Sequence, residues 1–137
     1  MTDIQAAIAA AASGMRAQTT RMRIAAENVA NANSTADGPN GEPFRRRIPL
    51  LESTTLTSGA QGVAVKGATF DMSAFRSEYN PSHPAAGPDG YVRLPNVDTL
   101  VEMMDMRDAS RAYEANLNMI DAARGMTNRA LDLLRKA

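Results

Sequence analysis

The sequence contains no cysteine. Disulfides, thiolate nucleophiles and cysteine-based metal sites are thereby excluded, while the redox character of the compartment stays open. Histidine occurs once, as His83, so there is no second imidazole for a metal pair and no serine plainly paired to it as a nucleophile. Between Ser82 and Pro84 it reads as a loop contact. Neither sign of charge is in excess, with 15 Lys+Arg against 15 Asp+Glu, and such a balance carries neither a nucleic-acid nor an anionic-membrane footprint. The one local basic run, Arg45-Arg46-Arg47 between Pro43 and Pro49, reads as a solvated loop or strand edge. No apolar run is long enough to span a bilayer, so direct membrane insertion is not expected. The opening MTDIQAAIAAAASGM has no basic region ahead of an uninterrupted apolar stretch, so no cleavable secretory signal is expected either. The glycines at 59, 62 and 67 lack the spacing, the lysine and the hydroxyl of a phosphate-binding loop. These absences leave no small-molecule substrate, cofactor, metal or nucleic acid to expect, and no enzyme.

Proline is missing from both ends. All seven prolines lie between Pro39 and Pro95, as do seven of the nine glycines counted from Gly38. At 137 residues the chain is one domain's worth, and it divides into three parts: 1–33, 34–95 and 96–137. The outer parts are rich in Ala, Met, Leu, Gln and Arg and read as long helices, from about Thr2 to Asn33 and from about Thr99 to Leu134.

In the first, Ile4, Ile8, Ala11, Met15, Gln18, Met22, Ala25 and Val29 alternate steps of four and three, the heptad seam of a coiled coil. Thr2 with Gln5 fits a capping box, and Asn28, Asn31, Asn33 and Ser34 read as the stop. Some thirty residues make a rod of roughly 45 Å. In the second, Met103, Met106, Ser110, Tyr113, Leu117, Ile120, Arg124, Thr127, Leu131 and Leu134 keep the same alternation, behind a capping box of Thr99 and Glu102. The predicted fold is mainly α: two long terminal helices paired as an antiparallel coiled-coil hairpin, with a small irregular or β middle region. Neither helix buries its seam alone, so their order depends on pairing.

The middle carries strand signals in Gly62–Lys66, in Phe44 with Ile48, Leu50 and Leu51, and in Tyr91–Leu94 after the turn signal Asp89-Gly90. Tyr79 to Pro88 holds three prolines, cannot be regular structure, and reads as a surface loop that a partner orders. The pairs Asp108 to Arg111 and Asp121 to Arg124 fit a solvated helix face. The methionines at 15, 22, 103, 104, 106, 119 and 126 fill a core or provide an adaptable surface for non-identical neighbours. Gly14 and Gly125 inside the helices are tolerated defects or points where another helix comes close.

The stretch SGMRAQTTRMRIAAENVANANST, with LPNVDTLVEMMDMRDASRAYEANLNMIDAARGM near the other end, resembles the axial proteins of the bacterial flagellum. The residues that carry the likeness are Ser13, Gly14, Met15, Gln18, Arg21, Met22, Asn28, Ala30 and Asn31, then Ser110, Arg111, Tyr113, Ala115 and Asn116. The short length and the segment YNPSHPAAGPDGYVRLPNVD, with Tyr79, Pro81, His83 and Pro84, are similar to the proximal-rod FlgC family of basal-body rod proteins. Pro88 departs from a stretch that is usually more acidic, which bears on the loop's conformation. The resemblance implies a structural subunit whose terminal helices pair and stack helically into a hollow drive shaft that passes torque from motor to hook. It implies copies of itself and other rod subunits as partners, export through the flagellar type III apparatus, a place in the periplasmic rod of the basal body, and a hinge at the asparagine run. Two other readings share the seams: another flagellar axial subunit, or a cytoplasmic helical-hairpin binding module such as a secretion chaperone. The second gives no reason for the proline-rich linker.

Overall fold

A computed structural model describes residues 3–137. The expected capping box at Thr2 lies outside the described residues. In order, the elements are α1 (Asp3–Ala30), β1 (Arg47–Thr55), β2 (Gln61–Phe70), β3 (Arg76–Tyr79), β4 (Tyr91–Leu94) and α2 (Thr99–Lys136). The molecule is mainly helical, with two small antiparallel sheets between the helices, β1-β2 and β3-β4.

The alanine-rich α1 begins with Asp3 in its first turn, and α2 ends with Arg135 and Lys136 in its last, charges that suit the two ends of a helix dipole. Asp98 caps α2, its carboxylate accepting the N–H of Leu100 at 3.0 Å. The expected cap at Thr99 is therefore one residue late, and Glu102 is free to turn inward. The helices run against each other in opposite directions: Asn28 near the end of α1 meets Glu102 near the start of α2. Ile4 and Ile8, at the start of α1, share a groove with Leu131 and Leu134 of α2.

The buried residues between and beside the helices are mostly small: Ala11, Ala17, Ala25, Ala109 and Ala123, with Ile24 and Ile120. Small side chains bring the backbones close. At Gly14 an added Cβ would lie 2.7 Å from the amide nitrogen of Asn116, which explains this glycine as a point of close approach within the chain. A Cβ at Gly125 would meet nothing within 4 Å.

β1 and β2 pair from Arg47 opposite Phe70 to Thr55 opposite Gln61. The register shifts between Leu50 and Leu51, where β2 carries an extra residue, and Gly67 at φ 141° takes the backbone turn that this bulge requires. Pro49 is tolerated in β1 because it points, like Arg47, toward the side away from β2, where no ladder bond is lost. β2 lies along α1, anchored by Ser13, whose buried hydroxyl donates to Ala10 O at 2.7 Å and accepts from Val63 N at 3.1 Å. β3 and β4 pair from Arg76 opposite Leu94 to Tyr79 opposite Tyr91, the two tyrosine rings meeting edge to face at 5.3 Å. On and around this sheet Ala32, Ala85, Val92, Leu94 and Val97 are buried.

Asp89-Gly90 ends a long loop rather than making a two-residue turn, because Pro81, Pro84 and Pro88 keep the chain from closing sooner. That loop supplies its own bonds: His83 N to Asn80 O at 3.1 Å, Ala86 N to His83 O at 2.9 Å, and Ala85 N to His83 Nδ1 at 3.0 Å. Intrachain bonds thus do what a partner was expected to do.

The two helical glycines should separate on substitution. Gly125→Ala is expected to stabilise the chain by about 1 kcal/mol, the intrinsic helix preference of alanine. Gly14→Ala should gain much less or lose stability, since its methyl displaces the Asn116 amide. Urea unfolding of each variant, followed by circular dichroism, measures the difference.

Candidate functional site

The largest fully buried side chains include Glu102 and Asn28, both polar. A buried carboxylate costs roughly several kcal/mol in lost hydration unless it finds partners, and here it finds them on two other segments. Asn28 Nδ2 donates to Glu102 Oε2 at 3.2 Å, and Arg46 Nε donates to Glu102 Oε1. The Asn28 amide also pairs with the Arg47 backbone, accepting its N–H at 3.0 Å and donating to its carbonyl at 2.9 Å, much as a neighbouring strand would. Every buried side-chain nitrogen and oxygen among the described residues has a hydrogen-bond partner.

Arg46 is the hub. Its remaining nitrogens reach Asp71 Oδ2 at 3.5 Å and Asp105 Oδ2 at 3.4 Å. Burial works against its charge, but the Glu102 hydrogen bond and the charges of Glu102 and Asp105 outweigh this, so its pKa is raised. The flanking arginines are used too. Arg47 pairs with Glu27 at 3.0 Å, and Arg45 donates to the carbonyls of Asp71 and Ser73 while its guanidinium stacks 4.1 Å over Phe75. The solvated run expected at Arg45–Arg47 is instead a structural knot. Asn96 closes it, accepting Arg46 N–H at 2.8 Å and donating to Asp71 O at 2.9 Å. The asparagine run divides in role: Asn28 is buried in this cluster, while Asn31 ends α1 by donating to Glu27 O at 2.9 Å.

The seam residues of α1, Ile4, Ile8, Met15, Met22 and Val29, are all at least partly buried. On α2 the outcome splits. Ile120 is buried and Met106 and Tyr113 partly so, whereas Met103, Leu117, Leu131 and Leu134 are exposed. The line that faces α1 runs through Glu102, Ala109, Asn116 and Ala123, seven residues apart each time. Three of these are buried, and the fourth, Asn116, touches Gly14. Large apolar side chains, including Leu100, Met104, Met119, Met126 and Leu133, are left on the open side. Ser110 is partly buried and Arg111 exposed; Pro81 and Pro84 lie exposed on the loop, with His83 partly buried between them. Glu102 and Arg46 were hidden as a cap and a loop. The signal that would have found Glu102 is its place on the seven-residue repeat that continues through Ala109, Asn116 and Ala123.

Among the described residues no three of His, Asp and Glu gather closely enough to hold a metal ion, and no helix is long and apolar enough to cross a membrane.

Comparison with known proteins bears on the same elements. Residues 89–133, which cover β4 and most of α2, match the family of the flagellar basal body rod FlgEFG protein C-terminal region. Over 136 residues the chain is 43% identical to the flagellar basal-body rod protein FlgC of Agrobacterium fabrum, covering 98% of each chain. The chain belongs to the FlgC family of flagellar basal-body rod proteins. The FlgC protein of Bacillus subtilis is 38% identical, with 89% of this chain and 92% of that protein covered. That of Salmonella typhimurium is 35% identical, with 90% and 92% covered. In this FlgC-family chain the motif residues Asn28 and Asn116 both lie where α1 meets α2.

Asp71 makes the stability of the knot depend on pH. The Ser73 N–H, then the Ser73 hydroxyl and the Arg46 guanidinium, favour its charged form over a small opposing effect of burial and lower its pKa below the usual 3.8. A carboxylate held more acidic in the folded state adds stability that is complete above its unfolded pKa and disappears as pH falls through the folded one. Unfolding free energy measured from about pH 5 to about pH 2 should therefore fall less steeply in Asp71→Asn than in the parent chain.

Proposed function

We propose that this chain is a structural, non-enzymatic subunit of the flagellar proximal rod, polymerising helically with itself and other rod subunits into a hollow drive shaft that carries torque from motor to hook. The reading rests on membership of the FlgC family over nearly the whole length. One structural observation supports it: the pairing of α1 with α2 leaves an apolar side of α2 uncovered, at Leu100, Met104, Met119, Met126 and Leu133. Apolar surface of that extent on one element marks an interaction face.

In this reading residues 1–33 and 96–137 form the coiled-coil inner layer, and residues 34–95 form the outer region that meets neighbouring subunits. The knot at Arg46 then joins the layers, and the end of α1 at Asn31 serves as the hinge between them. The seam residues Ile4, Ile8, Met15, Met22, Val29, Met106, Tyr113 and Ile120 hold the pair together, Leu131 and Leu134 flank its far end beside Ile4 and Ile8, and Met103 and Leu117 meet other subunits. The subunit reaches the periplasmic rod of the basal body through the flagellar type III export apparatus.

Electron microscopy of basal bodies from a strain lacking the gene, with and without a restoring copy, tests the assignment. The expected result is loss of the rod with the membrane ring retained; intact rods and hooks would overturn it in favour of a cytoplasmic binding module. Leu117→Asp gives a finer reading, because the side chain is exposed. The variant should be expressed and folded, with unchanged circular dichroism, yet leave cells non-motile on soft agar.

A further inference from the structure

The contacts between α1 and α2 pose a problem of alignment. The buried line of α2 repeats every seven residues with small side chains at Ala109 and Ala123, and α1 answers with Ala11 and Ala25, fourteen apart. Such a surface fits itself nearly as well after a slip of one heptad, because alanine against alanine distinguishes one position from the next only weakly. Something else has to choose the register.

We propose that the buried Asn28–Glu102–Arg46 cluster is the element that fixes the register of α1 against α2. Two contacts define that register. Moving fourteen residues back along α1, from Asn28 to Gly14, moves fourteen forward along α2, from Glu102 to Asn116. Both contacts therefore belong to one antiparallel alignment, two heptads apart, but they do not discriminate equally. A one-heptad slip takes the Gly14 position to another small residue, Ala109 or Ala123, and costs little. The same slip carries Glu102 away from Asn28, leaving a carboxylate that is 2% exposed without the amide. It also pulls Arg46 and Arg47 apart, since Arg47 is tied to Asn28 and Arg46 to Glu102. A buried polar group that loses its partners in every alternative alignment selects one alignment, which is the best-attested use of such groups. The inference concerns the chain's own fold, so its failure would leave the rod assignment standing.

The lack of native cysteine makes the test direct. Counted along the register set by Asn28–Glu102 and Gly14–Asn116, Ile8 lies level with Ala122 and Ala123; Ala130, further along the same groove beside Ile4, comes level with Ile8 only after a one-heptad slip. Two full-length chains are compared under mild oxidation, Ile8→Cys with Ala123→Cys and Ile8→Cys with Ala130→Cys, and intrachain disulfide is read by mobility on non-reducing gels. With the cluster intact, the first pair should close at least about tenfold faster than the second. In the background Asn28→Leu, Arg46→Met, Glu102→Leu, which removes all three polar groups together and leaves no fully buried charge, since Asp71 and Asp105 are partly exposed, the second pair should also close, to within a fewfold of the first. Glu102→Gln keeps the size and a hydrogen bond from Asn28 but loses the ion pair, and its preference for the first pair should fall about tenfold. Should the triple variant fail to fold, Glu102→Gln decides alone. An undiminished preference for the first pair in the folded variants would overturn the proposal, as would slippage in Asn116→Ala with the cluster intact.

Discussion

The Glu102 carboxylate sits where water does not reach, and the arrangement around it follows from the need to keep it charged at low cost. One partner comes from α1 through Asn28, and one from the segment entering β1 through Arg46. Once those two are placed, their chain neighbours have little freedom. Arg47 is held at the start of β1 by the Asn28 amide, Arg45 is drawn over Phe75, and Asn96 locks the approach to α2 against Arg46. Three parts of the chain far apart in sequence are joined by a handful of polar atoms. The apolar contacts between the helices, made largely by alanine, gain little per residue and depend on this alignment to meet at all.

The helices were legible because their signals are local: absence of proline, abundance of good helix formers, and apolar residues at helical spacing. Which side of α2 faces α1 was not. A seam drawn through the largest apolar side chains passes through Met103 and Leu117, yet both are exposed. The contact side is the one where the backbones come closest, and close approach selects alanine, glycine and asparagine over leucine and methionine. Size was read as a sign of burial, whereas in this pair smallness is. Strand β2 was partly visible in the alternation at Gly62–Lys66, but its length was not, because the bulge before Gly67 breaks the alternation halfway.

The polar knot was hidden for a different reason. Charged residues in a run of three beside prolines are ordinarily solvated, and nothing local distinguishes Arg46, whose partners are on average dozens of residues away, from Arg45 or Arg47. Glu102 was concealed by its position three residues after Thr99, where a capping role explained it fully. The structure gives the cap to Asp98. Local rules account for a residue that local contacts satisfy, and they misread one that is claimed by a distant partner.

The division of labour between the two sides of α2 gives the molecule its logic. The inner side joins unlike partners through specific polar contacts, which tolerate one alignment. The outer side is rich in methionine and leucine, with Met103, Met104, Met119 and Met126 all exposed. Methionine has three flexible torsions and a polarizable sulfur, so it conforms to surfaces that differ in shape. A subunit that assembles with other rod subunits gains from a rigid inner alignment, so that each copy presents the same outer surface, and from a compliant outer surface, so that each contact can adjust. Exchanging the two would fail on both counts: methionine inside would let the helices slide, and a buried ion pair outside would demand one partner geometry at every site.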